Sequence, residues 1–135
     1  MKIPKFEAQT EWVKPTEFPD LRKVEEIAID LETKDPDLLK KGSGSVIGNG
    51  EVIGIAVATK FYKGYFPIAH EGGGNMDRTR VLSWLKDILE APSTKVFHNA
   101  IYDVCWLRSM GFKINGDIAC TMIASALTDE NRFRY

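Results

Sequence analysis

Two acidic residues stand two positions apart where an apolar run turns polar, in the segment IAIDLET of residues 27–33. The run predicts a strand, and a strand places alternate side chains on one face, so Asp30 and Glu32 should converge. Two like charges beside Ile27 and Ile29 would be costly through repulsion and lost hydration unless a cation or a shared proton offsets them. A divalent metal ion is the offset that this pattern predicts.

A third acidic residue, Asp103, lies downstream in KVFHNAIYDVCWL, residues 95–107. That segment predicts a short strand running into an amphipathic helix, with Asp103 in the first turn of the helix. The helix dipole alone favours an acidic residue there, so the position by itself indicates little. Together with Asp30 and Glu32 it indicates much more, because three carboxylates then lie on two neighbouring elements.

The remaining sequence predicts the elements that must position these carboxylates. Prolines and scattered apolar residues predict an extended arm over residues 1–23, since proline blocks regular helix. Apolar runs and turn residues then predict strands at 24–32, 52–59, 64–69, 95–98 and 114–120. They predict helices at 77–90, after His98 to near Gly111 and from 121 to 127, and a polar loop at 33–50. This order predicts an α/β layered domain with a mixed sheet.

Asp-x-Glu closing a first strand, followed by a hairpin, a helix and Asn-x-x-Tyr-Asp at 99–103, resembles the first two motifs of the DEDD superfamily of 3'-5' exonucleases. The chain is most similar to proofreading domains of family A DNA polymerases, especially bacteriophage-type ones. The similarity covers roughly residues 20–135, including DLETKDP, YFPIAHEGGGN and TMIA. It implies an RNase H-like, DnaQ-like fold: a mixed five-stranded sheet in the order 3-2-1-4-5, flanked by helices.

The resemblance also implies a two-metal-ion mechanism with Mg²⁺ or Mn²⁺, which clamp the attacking water and the leaving 3'-oxygen of a terminal phosphodiester. Asp30 would bridge the ions, Glu32 would complete the ion that activates water, and Asp103 would hold the second ion. The implied partners are the 3' end of single-stranded DNA and a polymerase domain in the same or a partner chain. Candidate contacts to the terminal nucleotide are Thr33, Pro36, Asn99 and Tyr102. Asn99 equally suits the cap of the helix that carries Asp103.

In that family a third motif, Tyr-x-x-x-Asp or His-x-x-x-Asp, supplies a fourth carboxylate beyond the fifth strand. The sequence reaches Tyr135 without this pattern, and Asp117, Asp129 and Glu130 do not lie in one. We therefore expect residues 24–135 to be a partial exonuclease domain that is weakly active or inactive by itself.

The composition bounds these interpretations. The chain has 135 residues, of which 44% are hydrophobic and 27% charged, and this suits one globular core. A formal net charge of −1 weakly opposes tight, non-specific binding of nucleic acid but not a nuclease whose metal ions neutralise phosphate. No apolar run approaches the roughly 20 residues that span a bilayer, so we expect a cytoplasmic protein of a bacterial or phage-infected cell, without membrane contact.

Two other functions remain open. An RNase D-like exoribonuclease would share these motifs, and nothing in the sequence reads a 2'-hydroxyl distinctly. A non-catalytic binding module for nucleic acid or protein could also keep the fold; the three carboxylates argue against it, and the absent third motif argues for it. The histidines His70 and His98, each following a strand, are expected to be structural.

Overall fold

The structure, a computed structural model, describes residues 12–128. Its strands form one five-stranded sheet in the order β3-β2-β1-β4-β5, which confirms the predicted α/β class and strand order. β1 pairs antiparallel with β2 and parallel with β4, β2 pairs antiparallel with β3, and β4 pairs parallel with β5. The elements are β1 (Glu26–Lys34), α1 (Leu38–Lys41), α2 (Gly44–Ile47), β2 (Glu51–Ala58), β3 (Lys63–Pro67), α3 (Arg78–Glu90), β4 (Thr94–Phe97), α4 (Ala100–Ser109), β5 (Ile118–Cys120) and α5 (Thr121–Thr128).

The two faces of the sheet differ in what covers them. Along β1, Ile27, Ile29 and Leu31 are buried, whereas the alternating residues from Glu26 to Glu32 are exposed. The buried side chains of β1, β2 and β3 join those of α3 and α4 in one hydrophobic cluster. We call the opposite side of the sheet, which carries Ala28, Asp30 and Glu32, the open face. The hydrophobic cluster therefore fixes which way the acidic pair points.

The helix predicted at 77–90 corresponds to α3, and the helix predicted to end near Gly111 corresponds to α4. The Asp77 carboxylate accepts a hydrogen bond from Arg80 N at 3.0 Å and caps α3. Gly111 has a φ of 90° and follows α4, as a left-handed end residue does. Trp84 and Trp106 both pack against the hydrophobic cluster, as expected of aromatic residues at helical spacing. No helix within the described residues is long and apolar enough to cross a membrane.

The predicted polar loop at 33–50 is wrong in part. β1 extends to Lys34, and the loop contains the short helices α1 and α2. Helices of four residues are too short for a recognisable apolar period, and their glycines indicate a loop. Gly44 is buried at the start of α2, where a Cβ would lie 1.8 Å from the Asn49 carbonyl oxygen, so a glycine is required there. The predicted fifth strand is likewise shorter, because Gly116 turns the chain with a φ of 75° before β5 begins.

A buried cation closes the end of the sheet at which β4 begins. Lys95 has no exposed surface, and its Nζ donates to the carbonyl oxygens of Ala91, Ser93 (3.0 Å) and Asn115 (2.7 Å). The three donors of the ammonium group are thus matched by three acceptors, although burial lowers the pKa of Lys95. The side chain ties the end of α3 to the segment before β5.

Replacing Lys95 with methionine should destabilise the fold, because the apolar stem is kept while three buried carbonyl groups lose their donor. We expect a loss of about 2 kcal/mol in the free energy of unfolding, measured by urea denaturation. Lys86→Met is the matched control, since the Lys86 side chain is exposed and its Nζ lies 3.6 Å from a Glu90 carboxylate oxygen. A Lys95→Met variant as stable as the control would contradict this assignment.

Candidate active site

The candidate site forms where β1 continues beyond its parallel neighbour. β1 pairs with β4 from Glu26 to Ala28 and then runs on to Lys34. The chain leaves β4 at Phe97, and the first turn of α4 lies beside the vacated edge of β1. There the Oδ2 atom of Asp103 accepts a hydrogen bond from Leu31 N at 3.3 Å. A carboxylate thus takes a position that a longer β4 would have filled with backbone.

Asp103 is buried, with 3% of its surface exposed. Burial raises the pKa of its carboxyl group to about 7; the Leu31 N–H opposes the shift, and the charges of Asp30 and Glu32 add to it. Asp103 is therefore close enough to both acidic residues of β1 to feel their charges. One backbone hydrogen bond does not offset the cost of the buried charge.

Asp30 and Glu32 are exposed, which corrects the expectation that apolar neighbours would bury them. The alternation of β1 turns them to the open face while Ile27 and Ile29 face the core. The buried carboxylate is instead Asp103, the residue whose position in the sequence gave the weakest indication of a function. Through its contact with Leu31 N, Asp103 lies beside the part of β1 that carries Asp30 and Glu32.

The fit of a metal ion to these residues follows from their chemistry. Within residues 12–128, no three His, Cys, Asp or Glu side chains are placed closely enough to hold an ion together. The donors are hard carboxylate oxygens, two of them on exposed side chains that can turn, and the third is a buried carboxyl group that a nearby cation would help to ionise. Hard carboxylate oxygens of this kind are the donors that divalent cations of the Mg²⁺ type prefer.

The strand that carries the acidic pair is bent at the site. The register between β1 and β2 shifts after Glu32, which faces Gly54, while Thr33 faces Val52. Such a bulge redirects the strand and is common beside active sites. The open face is one wall of a cleft of about 1020 Å³ that includes Asp30 and Tyr65 in its lining.

Two of the predicted nucleotide contacts are joined by hydrogen bonds. The Tyr102 hydroxyl lies 2.8 Å from the Thr33 hydroxyl and donates to Asp35 Oδ2 at 2.9 Å. Asp35 also accepts from Gly44 N, with both carboxylate oxygens at 3.0 Å, so it links α4 to the start of α2. The exposed Pro36 follows directly. Sequence reasoning missed the role of Asp35, although Asp-Pro after a strand favours a turn.

Asn99 does not cap α4 through its side chain, so that interpretation is wrong. Its backbone is left-handed, with φ 60° and ψ 62°, a conformation that asparagine tolerates better than most residues and that recurs at functional sites. The Ala100 N–H instead points to the Cys120 sulfur at 3.4 Å. His98 Nδ1 lies 2.9 Å from the Thr121 hydroxyl and joins β4 to α5, which agrees with the expected structural role.

Comparison with known sequences gives a consistent result. The 3'-5' exonuclease family model matches residues 16–134. A DNA-directed DNA polymerase of Pseudomonas phage M6 is 41% identical over 114 residues, which cover 77% of this chain and 16% of that polymerase. The DNA polymerase DpoZ of Salmonella phage PMBT28 is 29% identical over 120 residues, 87% of this chain and 17% of that protein. The chain spans about a sixth of the length of these curated relatives.

Solved structures share the architecture. Brucella melitensis NrnC with bound Mg²⁺ matches 85% of this chain and 50% of its own, with a TM-score of 0.56 and 21% identity. NrnC bound to pGG matches the same shares with a TM-score of 0.55 and 22% identity. At such identities the similarity establishes the fold, and it confirms the RNase H-like arrangement expected from the sequence.

Asp103→Asn should stabilise the metal-free protein at alkaline pH. The pKa of Asp103 is about 7 in the folded state and 3.8 in the unfolded state. Between pH 3.8 and pH 7 the folded state therefore binds more protons than the unfolded state, and the free energy of unfolding falls as the pH rises through this range. Asparagine still accepts from Leu31 N but never ionises. We expect a gain on the order of 2 kcal/mol near pH 8 and a smaller one near pH 4, from urea unfolding in a chelator. An equal gain at both pH values would contradict ionisation as the cause.

Removing the Asp35 carboxylate should loosen the loop without unfolding the domain. In Asp35→Ala the Gly44 N–H and the Tyr102 hydroxyl both lose an acceptor, so hydrogen exchange of the Gly44 amide should speed up at least about tenfold. Asp37→Ala is the control from the same loop, because within residues 12–128 the Asp37 carboxylate contacts only the exposed Asn49 amide and Lys41. Equal exchange rates in the two variants would sink the idea.

Proposed function

Because the chain belongs to the 3'-5' exonuclease family matched over residues 16–134, we propose that it removes nucleotides one at a time from the 3' end of single-stranded DNA. In this proposal it is the proofreading part of a phage-type DNA polymerase, and a polymerase domain in the same or a partner chain supplies the strand. Its place of action would be the cytoplasm of a phage-infected bacterial cell. The observation that supports the proposal most strongly is the buried Asp103, whose pKa is raised by burial and by the charges of Asp30 and Glu32.

Exonucleases of this fold generally use divalent metal ions, and we propose Mg²⁺ or Mn²⁺ held by Asp30, Glu32 and Asp103. The donor set and the raised pKa of Asp103 support this assignment. When bound, two such ions activate a water molecule and neutralise charge on the scissile phosphate. The role of Asp103 is to stay ionised once a cation is near, and the role of the exposed pair on β1 is to turn towards the same point.

The terminal nucleotide would be held at the end of β1. We propose Thr33, Pro36, Asn99 and Tyr102 as its contacts. The hydroxyl groups of Thr33 and Tyr102 are already fixed against Asp35, so little ordering is needed when a substrate arrives. Asn99 makes no capping hydrogen bond through its side chain, which leaves that amide suited to a nucleotide contact.

A complete site in this family includes a further carboxylate from a Tyr-x-x-x-Asp or His-x-x-x-Asp motif, which the 135 residues do not contain. We propose that these residues by themselves hydrolyse DNA weakly or not at all. A polypeptide that supplies the missing carboxylate would restore the reaction, because that residue would complete the set of ligands for the proposed ions.

The test is metal-dependent shortening of a 3'-labelled, single-stranded oligonucleotide. Two proteins are compared: the 135-residue chain, and the Pseudomonas phage M6 polymerase in which this chain replaces its matched segment. We expect stepwise removal of 3' nucleotides by the chimera with Mg²⁺ or Mn²⁺, and at least a hundredfold loss with Asp30→Ala, because removing one metal ligand disables the site. Asp37→Ala, which changes a loop carboxylate outside the site, is the control.

The outcomes separate the candidate functions. Degradation of an RNA strand but not of DNA would favour an RNase D-like exoribonuclease. Binding of the oligonucleotide without hydrolysis in any form would favour a binding module that has kept the fold. A chimera that is active regardless of Asp30 would contradict the assignment of the three carboxylates.

A further inference from the structure

The edge strand β3 carries a tyrosine whose hydroxyl lies beside Glu32. Tyr65 pairs with Ala56 and projects over the neighbouring Gly54, where a Cβ atom would meet the Tyr65 hydroxyl oxygen at 1.9 Å. Gly54 is the residue directly opposite Glu32. Opposed Cβ positions on one face are about 4.5–5.5 Å apart, so the hydroxyl lies within about 7 Å of the Glu32 Cβ. An extended glutamate side chain and one hydrogen bond of ordinary length together cover a distance of this order.

Electrostatics agrees with this geometry. Burial raises the pKa of Tyr65, and the charge of Glu32 raises it further. A phenol is an O–H donor at neutral pH in any case, so Tyr65 has a proton to donate. Gly54 is what makes the arrangement possible, since a larger residue at this position would have to displace the phenol tip.

His70 holds this hydroxyl in place. Its Nε2 is hydrogen-bonded to the Tyr65 hydroxyl, and the two rings meet edge to face with centroids 5.8 Å apart. The backbone of His70 is clamped in turn by Asn75, whose side chain accepts from His70 N at 2.7 Å and donates to His70 O at 2.9 Å. With the proton on Nε2, His70 donates to the phenol oxygen, and the phenol proton is left to point towards the open face.

Glu32 has no comparable support. It is exposed, and within residues 12–128 its carboxylate makes no hydrogen bond. Ordering such a long side chain costs rotamer entropy. A donor that is already fixed beside it would reduce that cost when the carboxylate ligates an ion.

We propose that Tyr65 and His70 form a positioning pair for Glu32: His70 orients the Tyr65 hydroxyl, which donates a hydrogen bond to the Glu32 carboxylate when that carboxylate binds a divalent ion. The inference rests on the proposed metal site. It gives a function to the segment YFPIAHEGGGN, in which His70 was expected to be structural only. Mutation of a residue that hydrogen-bonds to a metal ligand typically weakens metal binding about 10–100-fold.

The test is Mn²⁺ binding by the 135-residue chain, followed by titration calorimetry, with the thermal midpoint in a chelator as the measure of folding. Tyr65→Phe keeps the ring over Gly54 and should weaken Mn²⁺ binding about tenfold. His70→Ala should do the same, and His70→Gln should recover most of the affinity because its amide can donate from a similar place. Tyr62→Phe, a half-buried tyrosine of the same hairpin, is the control and should change nothing.

Coupling to Glu32 distinguishes positioning from mere packing. In a Glu32→Gln background, Tyr65→Phe should have no further effect on Mn²⁺ affinity. An equal loss in both backgrounds, or an unchanged affinity in Tyr65→Phe, overturns the pair. Should Tyr65→Phe fold poorly, Gly54→Ala gives the second reading, because its Cβ displaces the phenol tip and should weaken Mn²⁺ binding similarly.

The failure of this inference and that of the proposed function look different. If the wild type binds Mn²⁺ and Asp103→Asn abolishes binding while Tyr65→Phe does not weaken it, the metal site stands and the pair falls. If neither Asp30→Ala nor Glu32→Gln alters Mn²⁺ binding, the metal site itself is misassigned and the pair falls with it.

Discussion

The early end of β4 is the constraint on which the candidate site depends. β1 is paired on this side only up to Ala28, so the backbone beyond it needs another partner. Asp103 provides one by accepting from Leu31 N, and this contact sets how closely α4 approaches β1. If β4 were a few residues longer, its backbone would pair with β1 beyond Ala28, and no carboxylate would be buried there. The same break that ends a strand therefore creates the site.

The open face keeps this region accessible through small side chains. Ala28 lies beside Ala58, Asp30 beside Ala56 and Glu32 beside Gly54, so no bulky neighbour covers the acidic pair from β2. The larger group comes from the edge strand, where Tyr65 reaches over Gly54. The sizes of the residues on β1, β2 and β3 thus decide which side chain can approach Glu32. This depends on how the three strands pair and not on the sequence of any one strand.

This distinction explains how far the sequence could be interpreted. The direction of Asp30 and Glu32 follows from strand alternation, and the caps at Asp77 and Gly111 follow from local chemistry. The strand order was expected because of a family resemblance, not because of composition. The contact of Asp35 with Gly44 depends on how the loop closes, and that of Tyr65 with Gly54 depends on the pairing of β2 with β3. No local sequence pattern predicts either contact.

Two buried charges show what the fold does for stability and what it does for function. Within residues 12–128 the buried charged side chains are Lys95 and Asp103, eight positions apart on β4 and α4. Lys95 has three carbonyl acceptors for its three donors, so its burial is fully compensated by hydrogen bonds. Asp103 has one backbone donor and two acidic neighbours, so its burial is not. The same fold thus provides a full set of hydrogen-bond partners for one buried charge and not for the other. A carboxylate left short of donors beside two others therefore supports the proposed metal site more than a purely structural role for Asp103.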